Sequence, residues 1–128
     1  MNCVKLTDSL AVSAQIRPED VADIAAAGYK VLINNRPDGE EGAQPSGAAI
    51  AAAARAAGLE YHHMPVTAMS FPGPDFDTMS DLLDDPARPV FAFCRTGTRC
   101  ANLWVAGVEE SAREEAISVA AARGFDLG

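Results

Sequence analysis

The chain has 128 residues, 48% of them hydrophobic, enough for one domain with a real core and too few for two ordinary ones, so residues 1–128 are expected to form a single unit. Its 18 acidic against 10 basic side chains give a formal net charge of -8, which disfavours a non-specific electrostatic grip on nucleic acid or on an anionic membrane surface. Any anion the protein binds must be held by a local arrangement of donors.

The opening residues, MNCVKLTDSLAVS, lack the basic start, apolar stretch and small-residue cleavage site of a secretory leader, and no apolar run is long enough to span a membrane. Three cysteines, Cys3, Cys94 and Cys100, cannot all pair within one chain and are few for a disulfide-stapled secreted protein. A reducing cytoplasm is the expected compartment. Helix signals then recur along the chain. RPEDVADIAAAG (17–28) puts Pro18 in a first turn, acids where the helix dipole favours them, and Gly28 where a helix ends. YKVLINN (29–35) reads as a buried strand, because Val31, Leu32 and Ile33 form a short apolar run and RPDGEEG supplies turn chemistry straight after it.

PSGAAIAAAARAAG (45–58) is an alanine-rich packing helix stopped at Gly58, and LEYHHMPV (59–66) returns to strand composition. FPGPDFDTMSDLLDDP (71–86) carries a helix opened near Pro74 and closed before Pro86. PVFAF (89–93) is the central strand. RCANLWVAGVEE (99–110) shows apolar residues at helical spacing, and SAREEAISVAAARG (111–124) begins with a Ser111–Glu114 capping box. Strands alternating with helices predict an α/β fold with a mainly parallel central sheet covered by helices on both faces. In such sheets ligands sit beyond the carboxyl ends of the strands, and Cys94 lies there, immediately after residues 89–93.

The stretch CRTGTRC (94–100) gives that cysteine a chemical setting. A thiol reacts as its thiolate, and an unperturbed pKa of roughly 8.5 leaves it mostly protonated at neutral pH, so the surroundings must stabilise negative sulfur. A loop passing from a strand end into a helix start can aim successive backbone N–H groups inward, and Gly97 permits the curl. Arg99, at the first turn of the next helix, offers a planar fork for two oxygens of one anion. Arg95 adds positive charge, and the hydroxyls of Thr96 and Thr98 can donate to a thiolate or oxyanion. The plainer alternative is a buried packing cysteine beside a solvated turn. Core packing alone would not select two arginines flanking a strand-end cysteine in so acidic a chain.

CRTGTR resembles the active-site loop of rhodanese-type sulfurtransferases and also the signature loop of protein tyrosine phosphatases. Tyrosine and dual-specificity phosphatases carry five residues between cysteine and arginine, usually with a histidine before the cysteine; here there are four, after Phe93. The chain as a whole resembles a bacterial phosphatase-like family, DUF442, also found fused to beta-lactamase-like hydrolase and persulfide dioxygenase domains. The resemblance rests on INNRPDGEE (33–41), QPSGAAIAAAARAAGLEYHHMPV (44–66), FCRTGTRCANLW (93–104) and GFDLG (124–128). It implies a fold like that of the dual-specificity phosphatases, and makes such a dioxygenase or hydrolase a partner to consider. Where the family pattern leads one to expect serine or threonine, this chain has Cys100, a weaker hydrogen-bonding group and a potential disulfide partner for Cys94 on oxidation.

Phosphoester cleavage needs a cradle for three oxygens and an acid for the leaving group, for which Asp75 and Asp77 are the candidates, although carboxylates in a first helical turn also serve the dipole. Persulfide transfer needs no such acid, because sulfane sulfur passes from thiolate to thiolate. His62 and His63, adjacent on a strand, point to opposite faces and do not share a metal, so no metal site is expected. Arg36, in the loop with Asp38 and Glu40, lies at the same sheet end as Cys94 and either lines the pocket or anchors a turn through an ion pair. The reading favoured by the sequence is a cofactor-free thiol enzyme carrying sulfur from a small anionic donor as a Cys94 persulfide, with Arg95 and Arg99 on the donor's anionic group. The alternatives are a phosphatase acting on a phosphoester through a phosphocysteine, and a non-catalytic module binding an anion or partner.

Overall fold

The computed structural model describes residues 3–125 and 127. Two strands, β1 (Cys3–Thr7) and β2 (Leu10–Ser13), are followed by α1 (Val21–Ala26), β3 (Val31–Asn34), α2 (Gly47–Ala57), β4 (Glu60–His63), α3 (Phe76–Leu83), β5 (Val90–Phe93), α4 (Thr98–Gly107) and α5 (Arg113–Ala122). The sheet order is β1-β2-β5-β3-β4; β1 and β2 pair antiparallel and every other pair is parallel. The α/β architecture expected from the sequence is thus present, with β5 at the centre.

The side-chain period of two sorts the core into two layers. On one face Val12, Val31, Ile33, Val90 and Ala92 pack against Met79 of α3 and Ala101 and Leu103 of α4. On the other, Ala11, Leu32, Phe91 and Phe93 pack against Val21 and Ile24 of α1 and Ile50 and Ala54 of α2. Phe91 and Phe93 are fully buried, each worth about 1.5–3 kcal/mol of transfer free energy, which fixes the register of β5 and hence the height at which Cys94 leaves the sheet. Cys94 continues the alternation begun by Val90 and Ala92 and faces α4.

Three sequence expectations need correction. Residues 3–13 form a hairpin that the sequence reading left without strands. Its signal is weak because the alternation of β1, with Val4 and Leu6 turned inward, lasts only five residues and β2, buried at all four positions, shows none. The segment from Pro18 begins as a single 3-10 turn, Pro18–Asp20, before α1. Finally, Ser111 does not cap α5: it lies within a 3-10 turn, Glu110–Ala112, and the residue before the helix is Ala112, which gives no side-chain bond. Of the GFDLG stretch, residues 126 and 128 lie outside the described residues. Among the described residues, no helix is long and apolar enough to cross a membrane.

Candidate active site

The chain leaves β5 at Cys94, curls through residues 95–97 and enters α4 at Thr98. Gly97 makes the curl: its φ is +90°, a left-handed conformation that costs an L-residue roughly 1–2 kcal/mol, and it precedes the first residue of the helix. The result points the Gly97 N–H at the Cys94 sulfur, 3.1 Å away. The loop is anchored from the neighbouring strand, since the Cys94 N–H donates to the Ser13 carbonyl at 3.2 Å and the Gln15 N–H donates to the Arg95 carbonyl at 3.4 Å. The unpredicted hairpin therefore holds one side of this loop.

Cys94 is only 1% exposed, yet it contributes to the wall of a pocket of about 580 Å³ shared with Arg95, Thr96, Thr98, Arg99 and Asn102. Thr67, Ala68 and Phe71 face them from the loop after β4. The thiol is held down to about 6, well below its ordinary range. The Cys100 thiol donating to the sulfur contributes most, burial opposes it, and the amides of Cys100, Thr96 and Gly97 add further donors. Cys100, fully buried, moves the other way: burial and the neighbouring Cys94 sulfur keep it protonated. The pair thus divides into one group held toward its thiolate and one held protonated as a donor.

Arg99 lines the pocket and is aimed by two bonds: one terminal nitrogen donates to the Asn35 carbonyl at 3.3 Å and the other to Glu40 Oε2 at 3.1 Å. Among the described residues its remaining N–H groups have no partner, and they face the pocket where an anion would sit. Arg95, largely exposed, pairs with Glu41 at 2.8 Å. Thr96 directs its hydroxyl at the Thr98 hydroxyl, 3.2 Å away, so of the two Thr98 is placed to donate onward. Arg36 is 3% exposed and sits outside this pocket, in an adjoining cleft with Gln15 and Glu41. Its Nε pairs with Glu40 at 2.9 Å and one terminal nitrogen donates to Gln15 Oε1 at 3.0 Å, so Arg36 takes the turn-anchoring role of the two the sequence allowed.

Neither Asp75 nor Asp77 lines the pocket. Asp75 precedes α3 without a side-chain cap bond, and Asp77 is exposed in the first turn, the positions carboxylates take for the helix dipole. His62 bonds Glu60 at 2.6 Å, whereas the His63 ring donates to the Arg36 carbonyl at 2.9 Å; they serve separate structural partners. The sequence reading missed Glu41 and the pocket wall of Thr67, Ala68, Phe71 and Asn102. Glu41 was findable, because it shares the strand-end loop with Glu40 opposite an arginine-rich stretch of the same sheet edge.

Comparison with known proteins gives this geometry a family. Residues 2–110 match the profile of the family described as Beta-lactamase hydrolase-like protein, phosphatase-like domain. A beta-lactamase hydrolase-like protein of Xylella fastidiosa is 35% identical over 131 residues, covering 100% of this chain and 30% of its own length, so the chain spans about a third of that relative. A candidate phosphatase from Neisseria meningitidis has a solved structure that superposes with a TM-score of 0.78 at 39% identity, over 97% of this chain and 89% of that one. The phosphatase Tk-PTP shares the fold, with a TM-score of 0.73 at 15% identity over 95% of this chain and 84% of its own. The fold is that of the protein tyrosine and dual-specificity phosphatases, and the chain belongs to the phosphatase-like domain family of the beta-lactamase hydrolase-like proteins.

Proposed function

We propose that this domain is a cysteine-dependent phosphoester hydrolase. The observation that carries the reading is the Cys94 sulfur, with the Gly97 N–H aimed at it from 3.1 Å, on the wall of a pocket it shares with Arg99, in a fold of the phosphatase type. The Cys94 thiolate attacks phosphorus, an S–P bond forms as the P–O bond breaks, and the leaving oxygen takes its proton from solvent. Water then attacks the phosphocysteine, releasing phosphate and the thiolate. Arg99 and the loop amides hold the equatorial oxygens through both steps.

Sulfur transfer is the second reading, favoured by the four residues between Cys94 and Arg99 and by a wall whose described residues include no carboxylate. Here the thiolate attacks the sulfane sulfur of a thiosulfate-like donor, sulfite leaves with the electron pair of the broken S–S bond, and an acceptor thiolate later removes the sulfur from Cys94. Persulfide-oxidising or beta-lactamase-like hydrolase domains are the partners that would suit this route.

Mass spectrometry after incubation with p-nitrophenyl phosphate and, separately, with thiosulfate distinguishes the two. A phosphoryl adduct on Cys94, with turnover abolished in Cys94→Ser, is expected. A persulfide adduct without p-nitrophenol release would replace hydrolysis by sulfur transfer, and unchanged turnover in Cys94→Ser would remove both.

A further inference from the structure

The outer side of the nucleophile loop is covered by a residue far along the chain. A Cβ built on Gly97 would lie 3.3 Å from the ring of Phe125 and 3.4 Å from the backbone of Ser13, so Gly97 is wedged between the end of β2 and an aromatic edge. The end of α5 delivers that ring. The Gly124 N–H donates to the Ala121 carbonyl at 3.1 Å and the Phe125 N–H to the Ala120 carbonyl at 2.9 Å, with Gly124 at φ +97°. This is the six-to-one and five-to-two bond pattern of a Schellman cap, which turns the chain sharply and presents the next side chain back toward the helix and its neighbours. Arg123 ties the same turn to β1, its Nε donating to the Lys5 carbonyl at 3.1 Å. Phe125 packs on the core layer that contains Cys94 and Cys100.

We infer that Phe125 is a positioning residue for the nucleophile: its ring braces Gly97 from outside, so that the Gly97 N–H stays aimed at the Cys94 sulfur from the inner side of the loop. Without the ring, the left-handed glycine gains room to rotate outward and the amide loses its line to sulfur. The dependence is geometric: the ring bears on the residue that carries the amide and is not among the residues lining the pocket. The inference rests on Cys94 being the nucleophile but is independent of whether phosphorus or sulfur is attacked.

The pH profile of Cys94 alkylation by iodoacetamide, followed on the Cys94 peptide by mass spectrometry, tests this without any substrate. Losing one amide bond to a thiolate is expected to raise the midpoint by about one pH unit in Phe125→Ala, with Phe125→Leu staying near the parent value. A residue that merely stabilised the fold would lower the melting temperature and leave the midpoint in place, and that result overturns the inference. Should Phe125→Ala fail to fold, Gly124→Ala, which strains the left-handed turn but keeps the ring, is expected to raise the midpoint in the same direction. An unmoved midpoint there overturns the inference equally. Loss of p-nitrophenyl phosphate turnover with an unmoved midpoint likewise overturns the brace and leaves the hydrolase reading standing.

Discussion

Replacing Cys100 by alanine tests the division of labour between the two buried thiols. In the parent the Cys100 thiol is the leading donor to the Cys94 sulfur, and the Cys94 thiol is held at about 6. A hydrogen bond to a charged group is worth about 1.5–3 kcal/mol and one pKa unit about 1.4 kcal/mol, so its loss should raise the Cys94 midpoint by about one to two units. The amides of Cys100, Thr96 and Gly97 remain, so the thiol should not return fully to its ordinary range. At pH 7 the thiolate fraction would fall from about nine-tenths to between a half and a tenth. The plateau rate at high pH should hold or rise slightly, because a more basic thiolate is intrinsically more nucleophilic. Serine at the same position keeps a donor and should leave the midpoint near about 6 or below. The assay is alkylation of Cys94 against pH for parent, Cys100→Ala and Cys100→Ser. An alanine midpoint within about 0.3 unit of the parent would refute the assignment of Cys100 as the main donor.

The depressed thiol also ties stability to pH. A folded-state pKa below the unfolded one contributes stability that is fully present above the unfolded value and is lost as pH falls through about 6, so thermal melts between pH 9 and 6 should show the parent losing an advantage that Cys94→Ser never has. Arg99→Lys keeps a positive charge but not the planar fork aimed by Asn35 and Glu40. Steady-state kinetics should show kcat/KM falling tenfold or more, by ~1.4 kcal/mol, and an unchanged value would mean that charge alone suffices. Gly97→Ala forces an L-residue into a left-handed conformation against the Phe125 ring, and chemical denaturation should register a loss of about 1–2 kcal/mol together with slower alkylation of Cys94. With hydrogen peroxide as oxidant, the Cys94 thiolate should become a sulfenic acid that the Cys100 thiol attacks, forming a disulfide and releasing water. Intact mass should then show loss of two hydrogens, reversed by dithiothreitol, whereas Cys100→Ser should gain oxygen instead; oxygen gain in the parent would deny the pair.

The central strand was the most legible part of the fold. PVFAF is short, apolar on both faces and bounded by Pro89 and the CRTGTR turn, so its burial and its place at the sheet centre followed from composition alone. The same held for α2, where Ser46 accepts from the Ala49 N–H and opens an alanine-rich helix. The N-terminal hairpin was not legible because a strand that borrows its hydrogen bonds from β5, eighty residues away, needs no local pattern of its own. Ser111 illustrates the opposite failure: a capping-box sequence was present, but a 3-10 turn over Glu110–Ala112 displaced the helix start past it.

For the site, the residues within one loop could be read together because a strand-end cysteine, a glycine and a first-turn arginine act over a few residues of chain. What could not be read was the company that distant segments supply. Glu40 and Glu41 take hold of Arg36, Arg95 and Arg99 from the loop after β3. Among the described residues, three guanidiniums are thus held by two carboxylates, so most of their charge is already matched. In a chain of net charge -8, such a cluster cannot draw an anion by a long-range field. It must recognise the anion at contact, through the N–H groups of Arg99 that Asn35 and Glu40 do not engage and through amides fixed by the curl at Gly97. Recognition of that kind depends on where each donor points, which is why a brace on the outside of the loop and a thiol behind the sulfur matter more here than the count of positive charges.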